Sequence, residues 1–79
     1  MAENVRQRVV EVVARTLKVD PSGVAEGARF VEDLGAESMQ GVELIAAFEE
    51  EFDIEMDEEK ALGVKTVQGA VEFIAGYLD

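Results

Sequence analysis

The 79-residue chain contains no cysteine and no histidine. Without cysteine it can form neither a disulfide nor a thiolate metal site, and it carries no signal of redox compartment. Without histidine it lacks the usual base or ligand of serine, cysteine and metal hydrolases. A chain missing both residues and dominated by carboxylates is a poor candidate for an enzyme, although enzymes could act upon it. Long apolar runs are missing too: none approaches the roughly 20 residues of a membrane span. Met1-Ala2-Glu3-Asn4 leads straight into an amphipathic segment instead of a signal peptide. The expectation is one soluble, cytoplasmic, monomeric domain over residues 1–79, with a small core of modest stability.

Positive charge is absent from the middle of the chain. The net charge is −11, yet residues 1–31 hold four acids and five bases and residues 60–79 two of each. Residues 32–59 hold twelve acids and no base. Such a block repels nucleic acid and anionic membranes and attracts partners with basic patches. Its bland role is to keep the surface solvated. Within the block these acids should also repel one another.

What is present is helical periodicity. In the first segment Val5, Val9, Val12, Val13 and Thr16 share one face, with Gln7, Glu11 and Ala14 opposite. Valines are indifferent helix formers, so this helix depends on burial, and Asp20-Pro21 ends it near Lys18. Residues 19–36 read as a long loop, with Val24, Phe30 and Leu34 as candidate pins onto the core. A second helix is expected from Ser38 to Phe52. Its core face is Gly41, Leu44, Ile45, Phe48 and Phe52. A second apolar stripe, Met39, Val42 and Ala46, lies well round from it, bordered by Glu43 and Glu50 on one side and Glu49 on the other. The stripe either packs on the loop or on a short third helix, or stays exposed as a docking surface with an acidic rim. A short helix is expected around Glu58–Leu62 before Gly63. Thr66 is the expected N-cap of a last helix whose buried face is Val67, Ala70, Val71, Ile74 and Leu78, with Phe73 and Tyr77 at its edges. Strand-like alternation and internal repeats are absent. The fold class is therefore all-α, with three long helices, one short one and a long first loop.

Two site motifs fail. The stretch Asp53-x-Glu55-x-Asp57-x-Glu59 suggests a calcium loop, but Glu58 stands where the turn requires Gly and Val64 where a bidentate acid is required. No metal site is expected. No Gly-rich phosphate loop opens a helix with Lys behind it. Ser38 is different. It starts a helix immediately after a turn, where free backbone N–H groups and the helix dipole favour an anionic group. A serine in such a place is most often an N-cap. Neither Glu nor Gln stands three residues beyond Ser38 to complete a capping box with it.

The run Phe30-Val31-Glu32-Asp33-Leu34-Gly35-Ala36-Glu37-Ser38-Met39, with Val42-Glu43-Leu44, Phe48-Glu49-Glu50-Glu51-Phe52 and Thr66-Val67-Gln68, resembles the bacterial acyl carrier protein family. The similarity covers essentially the whole chain. It implies a four-helix bundle with a long first loop, and a separate phosphopantetheinyl transferase that moves 4′-phosphopantetheine from coenzyme A onto the serine matching Ser38. The arm brings the thiol that the chain lacks, and acyl groups ride on it as thioesters. The resemblance further implies that acyl-processing enzymes bind along the second helix, at Glu37, Met39, Val42, Glu43, Ala46, Glu49 and Glu50. The run Glu49-Glu50-Glu51-Phe52 leans toward the fatty-acid type, beside polyketide or aminoacyl carriers. Against the family's usual Asp-Ser-Leu, this chain has Glu37-Ser38-Met39. Gly41 replaces a typically larger residue, and on the core side its missing side chain would widen the entrance to an acyl-holding cavity. The reading from another class is an unmodified acidic interaction module.

Overall fold

The computed structural model describes residues 2–78, with side chains for residues 5–37 and 39–78. Four α-helices follow in order: α1 Ala2–Leu17, α2 Ser38–Phe52, α3 Glu58–Leu62 and α4 Val67–Leu78, with a 3₁₀ turn at Pro21–Gly23. Among the described residues no strand forms, although Arg29 and Thr66 make one isolated antiparallel bridge that periodicity gave no reason to expect. The core is the apolar seam of α1, α2 and α4, and α3 packs principally on α2.

Each helix end has a local cause. Past Leu17, Lys18 adopts φ 60°, and the Val19 N–H reaches back to the Ala14 carbonyl at 3.0 Å. At the end of α2, Asp53 takes a left-handed φ of 54° and its N–H returns to Glu49. Asp57 caps α3 by accepting from the Lys60 N–H at 3.1 Å. The Thr66 hydroxyl accepts from the Gly69 N–H at 3.0 Å, as expected for the cap of α4.

The long loop is pinned rather than slack. Val24 and Phe30 are buried as expected and Leu34 is partly so, but Ala28 and Ala36 are buried as well. The Val67 and Gln68 N–H groups donate to the Ala28 and Glu26 carbonyls, and the Phe30 N–H donates to Lys65. These bonds stitch the loop to the start of α4. The turn that follows carries the Asp33, Leu34, Gly35 and Ala36 N–H groups back onto residues 29–31, with Gly35 at a φ of 73° that favours glycine. Arg29 holds the same turn through Asp33, whose carboxylate accepts from the Arg29 backbone N–H at 2.8 Å and from Nε at 3.2 Å. That double hold fixes the point where the chain enters α2.

Two expected faces need correction. Ala14, assigned to the outer side of α1, is buried, because the 3₁₀ turn folds back on α1 and covers a side that pairing between helices would leave open. Leu78, assigned to the buried face of α4, is 44% exposed, since the last turn runs past the core.

Candidate functional site

The start of α2 is capped one residue earlier than a serine cap would place it. Glu37 is the N-cap, in extended conformation, and its backbone N–H donates to Gln40 Oε1 at 2.9 Å in a capping-box pairing. The missing partner three residues beyond Ser38 is thus irrelevant, since Gln40 stands three beyond Glu37. Ser38 becomes the first helical residue, so capping, the commonest reason for a serine at this place, falls to its neighbour. The Ser38 side chain, the expected attachment point, lies outside the described ones. The turn Ser38-Met39-Gln40-Gly41 contains no acid, so an anion at its start meets the helix dipole without a competing carboxylate within that turn.

Directly beside this turn opens a cavity of about 750 Å³. Its depth is apolar and buried, formed by Phe30, Leu44, Ile45, Phe48, Ala61 and Ile74. Its rim consists of exposed residues, among them Val31, Glu37, Met39, Leu62 and Lys65. Glu37 and Met39 flank Ser38, so the rim adjoins the residue itself. Gly41, one turn further, also lines the cavity, where a Cβ would meet only Leu62 Cδ2, at 3.6 Å. The space it leaves therefore lies between α2 and α3. An apolar hollow next to an anion-friendly helix start fits a long group with a charged root and an apolar end.

The second stripe of α2 does not pack on the loop or on α3. Met39 is 76% exposed and Val42 49%, and Ala46 is exposed between the exposed Glu43 and Glu50. Glu49 differs: it is half-buried, and its Oε2 accepts from the Met56 N–H at 2.8 Å. Residue pattern missed Val31 and Leu62 as exposed apolar neighbours of this surface, because a loop and a single short helical turn carry no usable period.

The acid block is partly compensated from outside. Arg29 pairs with Glu32 and Asp33, and Arg8 pairs with Glu51 at 2.9 Å while donating to the Glu51 carbonyl and lying 4.4 Å from the centre of the Phe52 ring. The Arg29 hydrogen bonds hold the Asp33 carboxyl below the usual carboxylate range. Among the described residues no cluster of His, Cys, Asp or Glu could hold a metal ion, and no helix is long and apolar enough to cross a membrane.

A family model described as phosphopantetheine attachment site matches residues 7–74. An acyl carrier protein of Phenylobacterium zucineum (strain HLK1) is 49% identical over 71 residues, which is 90% of each chain. One of Caulobacter vibrioides (strain NA1000 / CB15N) is 48% identical over 71 residues, 90% of this chain and 91% of the relative. The chain belongs to the acyl carrier protein family. It is a carrier and not a catalyst, and its prosthetic group is phosphopantetheine.

Proposed function

We propose that this chain holds acyl intermediates as thioesters on a 4′-phosphopantetheine arm attached to Ser38 and presents them to enzymes of fatty acid or specialised acyl biosynthesis in the cytoplasm. The observation that carries this reading is the apolar cavity whose rim adjoins the first turn of α2. When bound, the arm supplies the thiol on which a thioester forms. The chain's own contribution is to seat the root of the arm at a helix start, shelter an apolar cargo and present a docking face. Met39, Val42 and Ala46 form the apolar centre of that face, with Glu37, Glu43, Glu49 and Glu50 around it for the basic patch of a partner enzyme, including the transferase that installs the arm. Gly41 keeps the way from Ser38 into the cavity wide. The protein works as a monomer comprising one carrier domain.

Intact-mass measurement after incubation with coenzyme A and a phosphopantetheinyl transferase tests the reading. The expected result is a gain of one phosphopantetheine, lost in Ser38→Ala. No gain with several transferases would support an unmodified interaction module instead.

A further inference from the structure

Residues 53–57 connect α2 to α3, and two consecutive backbone N–H groups in this link are held by side chains from different helices. The Met56 N–H donates to Glu49 Oε2 of α2 at 2.8 Å, and the Asp57 N–H donates to Tyr77 Oη of α4 at 2.9 Å. Neither bond belongs to α3 itself, whose first turn is already capped by Asp57 Oδ1. Met56, Ala61 and Leu62, on this link and the helix after it, form one side of the cavity.

A five-residue helix cannot hold itself in place. Below about 12 residues isolated helices are marginal in water, and Ala61 is the one buried residue of α3. What fixes α3 over the cavity must therefore come from the residues around it. Glu49 reaches the link from one side, half-buried against it. Tyr77 reaches it from the other, its ring set edge-on to Phe73 at 5.2 Å, and Phe73 also lines the cavity.

We propose that Glu49 and Tyr77 form a two-sided clasp on residues 56–57 that holds α3 as the lid of the cavity. These two positioning residues, and not the apolar wall alone, set how long a cargo stays sheltered. The part about cargo rests on the carrier reading; the clasp can be tested on the unmodified chain.

The test is amide hydrogen exchange on the full chain and on Tyr77→Phe, Glu49→Ala and Glu49→Gln. Tyr77→Phe keeps the ring against Phe73 and removes only the acceptor. Each of Tyr77→Phe and Glu49→Ala should speed exchange at Met56, Asp57 and the α3 amides about fivefold, the typical net worth of one hydrogen bond. Glu49→Gln retains an acceptor oxygen and should stay close to the unmutated chain. Amides of Val9, Val12 and Val13 in α1 should not change, which separates a loosened lid from general destabilisation. Thioester-loaded chains should lose their cargo to hydrolysis faster in the same two variants. Unchanged exchange at α3 in both variants would overturn the clasp, as would an equal rise in α1. Faster α3 exchange in a chain that no transferase loads would uphold the clasp and sink the carrier reading, so the two fail separately.

Discussion

The two sides of α2 face different interiors. Toward α1 the seam is filled: Val9, Val12 and Val13 are fully buried. Toward α3 the same helix turns Leu44, Ile45 and Phe48 into a cavity of about 750 Å³, and Leu62, which should help close it, is 45% exposed. The filled side holds the fold together because close packing maximises apolar burial and dispersion contact. The hollow side gives up that packing, and what it gains is room beside Ser38. A chain of this size can leave one side hollow only if the other is well packed.

That contrast can be broken first on the filled side. Val13→Ala removes two methyl-sized groups from a site with no exposure and should cost about 2 kcal/mol, measured by urea denaturation. Next is the joint between the sides. Thr66→Ala removes the cap of α4 at the point where the loop is stitched, and should cost about 1 kcal/mol in the same measurement. On the hollow side the prediction reverses. Gly41→Val places its branches toward Leu62 and should change stability by no more than about 0.5 kcal/mol, yet speed hydrolysis of long or bulky acyl thioesters. Equal hydrolysis across chain lengths would remove Gly41 from the entrance.

The smallest effect concerns acid. Arg29 holds Asp33 below its ordinary value of 3.8, so this contact stabilises fully above that pH and is lost as pH falls through the lower folded-state value. Asp33 is exposed, so the effect is slight. Asp33→Asn should flatten stability against pH only below about 3.8. A difference confined to neutral pH would contradict the assignment.

Helix boundaries were legible because they depend on local chemistry. Ser38–Phe52 and Glu58–Leu62 match the expected spans, and Thr66 caps α4, since turn residues and apolar period both act within a few positions. The face of Ala14 was not legible, because a folded-back turn buries it. The cap at the head of α2 was legible in principle: Gln40 lies three residues beyond Glu37, whereas a capping box counted from Ser38 finds no partner. The ion pairs of Arg8 and Arg29 with the acid block, and the bonds from Glu49 and Tyr77 to residues 56–57, join positions that only the folded chain or a particular turn brings together. The cavity itself is what remains between helices of unequal length, and no residue pattern encodes a void.

The division between a filled and a hollow side is tested most directly by NMR on the chain carrying a medium-length saturated acyl group on its arm, compared with the same arm unacylated. Resonances of Leu44, Ile45, Ala61, Phe73 and Ile74 should move while those of Val9, Val12 and Val13 stay. Changes confined to the Met39, Val42 and Ala46 stripe would show that the cargo lies outside and that the cavity does not shelter it.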